Sequence, residues 1–171
     1  LSTSATSTVS SHEIVYKIPG TSSGVPNNGT ITVTFPSEFT GTSSVTVSDV
    51  DLEVDTGSVS EETLVAGAPT AGNWGFTWSG DTMTLTAAND ESIAANATVT
   101  IKSGSNADGG TDRIVNPSTA NTWEINLTSG PDDTGATRVV TLSTVTVTAS
   151  VDTVFNFSVS GLSAGVAVNG T

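Results

Sequence analysis

The feature that most constrains this chain is the alternation, at a period of two, between apolar residues and threonine. Segment 30–35 alternates Thr with Ile, Val and Phe, and segment 74–78 alternates aromatic residues with Gly and Thr. Successive side chains of a β-strand point to opposite faces of a sheet, so each segment has one apolar and one polar face. Ser and Thr make up nearly a third of the chain, and β-branched residues suit a pleated sheet. The sequence therefore predicts strands that bury one face.

Turn-forming residues separate these segments. Clusters of Gly, Pro, Asn and Asp lie at 26–29, 108–110 and 130–133, and such residues favour turns. Gly80 lies between the apolar residues of 74–78 and those of 83–85, which predicts a β-hairpin. Near Ser48 the apolar residues change parity, which indicates a bulge or a change of buried face. Further strands are predicted at 14–18, 45–54, 97–102, 122–127, 138–149 and 154–159.

These segments amount to about nine strands, with at most one short helical turn, at 87–95. Such a pattern is typical of an all-β, antiparallel β-sandwich of the immunoglobulin-like or jelly-roll-like kind. We assign residues 12–171 to this sandwich domain. The polar residues 1–11 are predicted to form an extended N-terminal segment that serves as a strand between subunits.

The charge balance excludes several classes of partner. Asp and Glu number 17 against 4 Lys and Arg, which gives a formal net charge of −13. Because so few cations cannot form a basic groove, nucleic-acid binding through phosphates is excluded, as is attraction to anionic membranes. No run is long and apolar enough for a membrane-spanning helix, so direct membrane insertion is not expected. Together with the Ser/Thr-rich strands, the acidity favours an extracellular or cell-surface protein.

The sequence offers little catalytic chemistry. It contains no cysteine, which excludes thiolate zinc sites and Cys nucleophiles. The single histidine, His12, stands at the start of a predicted strand, and no G-x-S-x-G motif supplies a nucleophile. We therefore predict that the protein is not an enzyme, that it has no organic cofactor, and that His12 lies at a surface or an edge.

Four carboxylates recur at every second residue, at Asp49, Asp51, Glu53 and Asp55. On one strand face they would repel each other, and a hard cation between them would relieve that repulsion. Ca²⁺ binds oxygen ligands of this kind. The pattern predicts either a Ca²⁺ site or a solvated acidic face.

Two further patterns concern ligands and modification. Trp74 and Trp78 share one strand face, where they either anchor the core or stack on sugar rings. Five N-x-Ser/Thr sequences mark candidate glycosylation sites, which suit a surface protein. They are Asn28, Asn96, Asn126, Asn156 and Asn169.

Several short sequences, taken together, carry a resemblance that spans residues 12–171. They are ITVTFPSEF (31–39), DVDL (49–52), RIVNP (113–117), DTG (133–135), VTVTASVD (145–152), VSGL (159–162) and VNGT (168–171). As a set they resemble β-sandwich surface proteins of uncultivated bacteria from candidate phyla. The resemblance implies a secreted, immunoglobulin-like domain, often part of a longer chain, with no established enzymatic activity and no catalytic residues.

The strands also suggest how the chain functions. Low-charge strands rich in Thr and Val pair readily with the edges of other chains, and Lys, which usually protects such edges, is nearly absent. We predict a structural subunit of an extracellular filament, pilus or surface layer, built by non-covalent packing of β-domains or by strand exchange. Its partners are copies of itself or neighbouring domains of a longer surface protein, with residues 1–11 and 145–159 at the interface. The alternative is an adhesin or carbohydrate-binding module stabilised by Ca²⁺.

Overall fold

Strands dominate the structure, a computed structural model that describes residues 1–143 of the chain. Twelve strands lie in this range: β1 Val9–Ser10, β2 His12–Lys17, β3 Thr30–Thr34, β4 Val50–Asp55, β5 Val59–Glu62, β6 Leu64–Ala66, β7 Trp74–Ser79, β8 Thr82–Thr86, β9 Thr98–Ser103, β10 Ile114–Val115, β11 Asn121–Ser129 and β12 Asp133–Thr141. The predicted strand 154–159, the predicted interface 145–159 and the end of the predicted strand 138–149 lie outside the described residues. Asn156 and Asn169 lie outside them too.

Two large sheets and one small ribbon contain these strands. The six-stranded sheet has the order β12-β11-β3-β8-β7-β6, and the four-stranded sheet has the order β2-β9-β4-β5. β1 pairs with β10 in a separate ribbon. Neighbouring strands are antiparallel except β6 and β7, which run parallel. The all-β prediction is confirmed.

The period of two in the sequence decides which face of each strand is buried. In β3, Ile31 and Val33 are fully buried, while the threonines between them stay half-buried. In the four-stranded sheet, Leu52 and Ile101 are buried in the same way. These inward residues of both sheets belong to one hydrophobic core. The two sheets therefore pack face to face as a β-sandwich, and burial of each large aliphatic side chain contributes about 1.5–3 kcal/mol.

Residues before β4 differ from the prediction. Two 3₁₀ turns, Thr42–Ser44 and Val47–Asp49, replace the first half of the strand predicted at 45–54. Thr46 and Asp49 form a capping box, in which each side chain hydrogen-bonds to the other residue's backbone. Such local hydrogen bonds offer the backbone an alternative to sheet pairing. The parity change near Ser48 thus marks a helical turn rather than a bulge.

The segment 87–95, where the sequence allowed at most one short helical turn, forms no helix. Val25 and Ile93 exchange two backbone hydrogen bonds of 2.8 Å, and Ala87 N donates to Gly29 O at 2.9 Å. This segment is therefore held by a distant part of the chain rather than by its own helical bonds. Within residues 1–143 the remaining 3₁₀ turn is Gly104–Asn106, and no helix there is long and apolar enough to cross a membrane.

The N-terminal residues 1–11 pack against their own chain. β1 pairs with β10, and Ala5 forms a parallel bridge with Leu142. The side-chain amide of Asn116 donates to the carbonyls of Thr3 and Ala5, at 2.9 and 3.0 Å. Ser11 is fully buried. We call residues 1–11 the N-terminal strap; its role between subunits stays a prediction.

Candidate functional site

In residues 1–143, β12 forms one edge of the six-stranded sheet and β2 one edge of the four-stranded sheet, and residues of both strands line a common groove. On the inward face of β12, Val139 is half-buried and Thr141 is fully buried. Gly135 and Thr137 share that face by the period of two, yet both are exposed. Among the described residues, no strand covers the inward face of the first half of β12.

A groove runs along this open side between β2 and the pair β11–β12. One part of it has a volume of about 120 Å³ and is lined by Ile14, Val15, Tyr16, Ile125, Leu127, Gly135, Ala136 and Thr137. It continues into a depression of about 160 Å³ beside Pro19 and Asp133. The lining is mostly apolar, and it adjoins the edge of β2 that has no partner among the described strands. We call this feature the open-side groove.

Tyr16 stands at the base of the open-side groove. Its hydroxyl donates a hydrogen bond of 3.0 Å to Oγ of Ser129, which is fully buried. Burial raises the pKa of Tyr16 to about 12, an effect that this hydrogen bond opposes and the charge of Asp133 reinforces. The phenol of Tyr16 is therefore neutral at ordinary pH.

Exposed apolar residues concentrate at the edges of the sheets. Among residues 1–143, the exposed large hydrophobic residues are Leu1, Val9, Val15, Val59, Val140 and Leu142. Three of these lie on edge strands of the two large sheets: Val15 on β2, Val59 on β5 and Val140 on β12. None lies on the central strands β3, β4, β7, β8, β9 or β11. Such edges are suited to pairing with another chain.

Basic residues, which disfavour pairing of an edge strand with another chain, lie at only a few positions of these edges. Lys17 ends β2, and Arg138 lies on β12. Arg138 donates from Nε and Nη2 to Glu124 Oε2, at 3.1 and 2.9 Å, so its charge is directed along its own sheet. The middle of β2, at Val15, has no charge of its own.

The first of the four predicted calcium ligands, Asp49, is a buried structural carboxylate. It lies in a 3₁₀ turn before β4 and is 2% exposed. Oδ2 accepts from Thr46 N at 2.9 Å and from Thr46 Oγ1 at 2.7 Å, and Oδ1 accepts from Thr111 N at 2.9 Å. Burial opposes ionisation, but these hydrogen bonds and the charge of Arg113 hold the pKa of Asp49 below its usual value. Asp49 therefore joins the turn to the loop before β10.

The other three carboxylates lie on the outer face of β4 but have different partners. Asp51 accepts from the backbone N of Asp108 at 2.6 Å, and Asp55 accepts from Gly57 N at 2.8 Å. Glu53 forms an ion pair with Lys102, and its hydrogen bond raises the pKa of Lys102. Between Leu1 and Ser143 no group of three or more His, Cys, Asp or Glu residues is placed to hold a metal ion. Calcium binding at Asp49, Asp51, Glu53 and Asp55 stays a prediction. Among the described residues, these carboxylates are not arranged as a preformed cation cage.

The two tryptophans face the core. Trp74 is 1% exposed and belongs to the core cluster, so no sugar can stack on its ring in this structure. Trp78 is half-buried, with its ring stacked on Phe35 at a centroid distance of 5.7 Å. Trp74 and Trp78 therefore anchor the core of the sandwich, which is one of the two roles that the sequence predicted for them.

His12 lies inside the sandwich, not at a surface, and forms a buried polar group with Ser10 and Asn116. Nε2 of His12 lies 3.1 Å from Ser10 Oγ, which donates to Asn116 Oδ1 at 2.7 Å. All three side chains are at most 3% exposed. A buried serine cannot reach a substrate, so this contact between Ser and His secures the N-terminal strap.

The candidate glycosylation sites within residues 1–143 are exposed. Asn28 and Asn96 occupy turns with positive φ, 59° and 69°. Asn126 lies on the outer face of β11. Glycosylation at these positions stays a prediction.

No protein-family model and no curated protein matches the sequence. Among solved structures, the pilus 2b backbone protein of group B streptococcus is similar, with a TM-score of 0.46 and 14% sequence identity. The match covers 81% of this chain and 54% of that chain, so this chain spans about half the length of the pilus protein. The likeness assigns no function to this chain.

Sequence reasoning missed the open-side groove and the buried role of His12. The available signal for the groove is the pair Gly135 and Ala136, where small residues stand in a strand segment that would otherwise carry larger side chains. His12 gave no such signal, because its neighbours Phe35 and Asn116 are distant in sequence.

Proposed function

We propose that the chain is a structural, non-catalytic subunit of an extracellular filament, pilus or surface layer, and that a strand from a second copy completes the open side. The observation that carries this proposal is that, within residues 1–143, the inward face of β12 is uncovered beside the edge of β2, which has no strand partner there. A strand added along β2 would gain main-chain hydrogen bonds and would cover Gly135 and Thr137.

The exposed apolar residues support the same proposal. Val15 is 57% exposed on β2, next to the open-side groove. Removing apolar surface from water contributes about 25 cal/mol per Å², and main-chain pairing fixes the orientation of the added strand. Both contributions act at the same edge, so this edge is the best candidate for contact between subunits.

The net negative charge of each copy opposes this contact, so the salt dependence of assembly tests which forces hold the copies together. Each copy carries a formal net charge of −13, so neighbouring copies repel each other. At an ionic strength near 0.15 M the screening length is about 8 Å. Assembly through apolar edges should therefore increase with salt, whereas assembly through ion pairs would weaken.

The alternative function, an adhesin or carbohydrate-binding module, loses the aromatic platform on which it was based. Trp74 is buried, and one face of Trp78 is covered by Phe35. The structural role therefore has the stronger support.

Negative-stain microscopy and sedimentation velocity of the full chain, at low and moderate salt, test the proposal. The informative variant is Val15→Lys, which places a charge in the middle of the β2 edge. The matched control is Val59→Lys, at the 66%-exposed residue of β5 on the opposite edge of the same sheet. We expect the wild type and Val59→Lys to assemble and Val15→Lys to stay monomeric.

Two results would contradict the proposal. A wild type that remains monomeric at both salt concentrations would rule out self-assembly and would point to an occupant from the same chain, such as residues 144–171. Equal assembly of Val15→Lys and the wild type would show that the β2 edge is not the contact.

A further inference from the structure

The open-side groove has a gap above Gly135. Among residues 1–143, a Cβ atom at this position would have no atom within 4 Å apart from those of its chain neighbours. The φ angle of Gly135 lies outside the left-handed region that favours glycine, so the backbone does not require glycine here. A glycine inside a strand weakens it and often marks a place where another backbone or a ligand approaches closely. The space above Gly135 is therefore available to a side chain from elsewhere.

Two depressions of the groove meet at this gap. The first, of about 120 Å³, is lined on the two edge strands by residues 14–16 and 135–137. The second, of about 160 Å³, is lined there by Tyr16 and Lys17 and by residues 133–135. The second depression is therefore displaced from the first by about two residues along each strand. A cavity of about 150 Å³ accommodates one benzene ring, so each depression has a size that suits one aromatic side chain.

Two aromatic residues of the sequence lie outside the described range. Every Phe, Trp and Tyr of residues 1–143 belongs to the hydrophobic core or packs against it. Phe155 and Phe157 are the only aromatic residues of 144–171. Because they are two residues apart, the period of two puts both on one face of the predicted strand 154–159.

We propose that residues 154–159 of a second copy fill the open-side groove, with the ring of Phe155 in one depression and that of Phe157 in the other. This strand addition is the subunit contact proposed above, on which the assignment of the phenylalanines rests. Rings two residues apart on one strand face are displaced by about 6.7 Å along the strand, as are the two depressions. In strand addition, main-chain hydrogen bonds give affinity, and pockets for alternate side chains give specificity.

The charges of both partners permit this contact. Residues 154–159 carry no charge, and Asp152 is the one charged residue of 144–171. The lining of the first depression has no charged residue, and that of the second has Lys17 and Asp133, which are of opposite sign. The segment therefore brings into the groove none of the net charge of −13 that makes two copies repel each other.

Residues 144–153 connect this segment to the described part of the chain. Fully extended, they span at most about 33–36 Å, which exceeds the length of about 30 Å of the nine-residue strand β12. The segment can therefore reach beyond its own sandwich into that of a neighbour. The same length lets it return to its own groove, so contacts between chains and contacts within a chain have to be distinguished by experiment.

Other segments fit the groove less well. The N-terminal strap is already paired with β10 and bridged to Leu142. The β2 strand of a second copy would leave the two depressions empty, because its inward residues Ile14 and Tyr16 pack against its own core. The described core does not contain the two rings of residues 154–159, so these rings remain available to fill both depressions.

Cysteine trapping in the full chain tests this inference, because the chain has no cysteine of its own. The informative variants combine Gly135→Cys with either Phe155→Cys or Phe157→Cys, so that each variant keeps one phenylalanine. The matched controls replace Gly135→Cys by Thr128→Cys, at an exposed residue on the outer face of β11. Two cysteines form a disulfide only where their Cα atoms come within about 7 Å. After mild oxidation, non-reducing electrophoresis separates links between chains from links within a chain, and circular dichroism melts of the reduced variants establish that each is folded.

We expect reducible links between chains in the Gly135→Cys variants and their loss in the Thr128→Cys controls. If the wild type assembles but the Gly135→Cys variants form no more links than the controls, the assignment of residues 154–159 is overturned, while the proposed assembly stands with another strand at β2. Links within single chains, in a protein that stays monomeric, would place the segment in its own groove and would overturn the second copy and the proposed assembly. A monomeric wild type without any link would overturn both.

Discussion

Protonation of His12 should destabilise the fold as the pH falls from about 6.5 to about 4. The ring is 3% exposed and packs edge-on against Phe35 and Phe39, at centroid distances of 5.1 and 5.9 Å. Burial, together with the positive charge of the N-terminus, lowers the pKa of His12 to about 4, while the charge of Asp112 opposes this effect. Because the folded-state pKa lies below that of the unfolded chain, acid favours the unfolded chain.

The sign and size of the effect follow from proton linkage. At a pH well above 6.5 His12 is neutral in both states and contributes no pH dependence. A pKa that falls from 6.5 to about 4 corresponds to about 3 kcal/mol of unfolding free energy once the pH is below both values. At pH 4.5 the expected loss is about 2–3 kcal/mol, a large fraction of the stability of a typical domain.

Urea unfolding of the wild type and of His12→Gln at about pH 7.5 and pH 4.5 measures the contribution of His12 to the pH dependence of the unfolding free energy. His12 is the one histidine of the sequence, so the difference between the two pH dependences isolates it. Acid effects from carboxylates such as Asp49 occur in both proteins and cancel. If the two proteins lose the same free energy between these pH values, the argument from burial is wrong.

Two further substitutions probe the buried polar groups. Asp49→Asn should cost about 1–3 kcal/mol in denaturant unfolding, since an amide cannot accept all three hydrogen bonds, while Asp51→Asn on the outer face should cost under about 1 kcal/mol; similar costs for both would contradict the structural role of Asp49. Tyr16→Phe should cost about 1 kcal/mol at neutral pH by leaving Ser129 without its donor. Because the folded-state pKa of Tyr16 is raised to about 12, the wild type should also lose stability above about pH 10, and this alkaline loss should be absent from Tyr16→Phe.

Strands with long, regular alternation were predictable because their signal is local. β3 and the hairpin of β7 and β8 follow directly from apolar residues at every second position, with Gly80 at the turn. The short strands β1, β5, β6 and β10 span two to four residues each, too few to show a period. They form because distant segments supply their hydrogen-bond partners.

The carboxylates at 49–55 show that local spacing is also insufficient to predict a binding site. Spacing alone placed Asp49 in phase with Asp51 and Asp55, as if all belonged to one strand. The capping box with Thr46 removes Asp49 from that strand, and Thr111, more than sixty residues away, supplies another of its hydrogen bonds. A carboxylate that the sequence suggested for metal binding is satisfied by backbone donors.

The amino-acid sequence by itself determined the long alternating strands, the apolar face of each of them, and the strong acidity of the protein, because these properties depend on neighbouring residues and on composition. The tertiary structure decided which strands are neighbours. Within residues 1–143, that choice left the inward face of β12 uncovered beside β2 and enclosed His12 among Phe35, Phe39 and Ser10. Strand register joins residues far apart in the chain, and no local period encodes it.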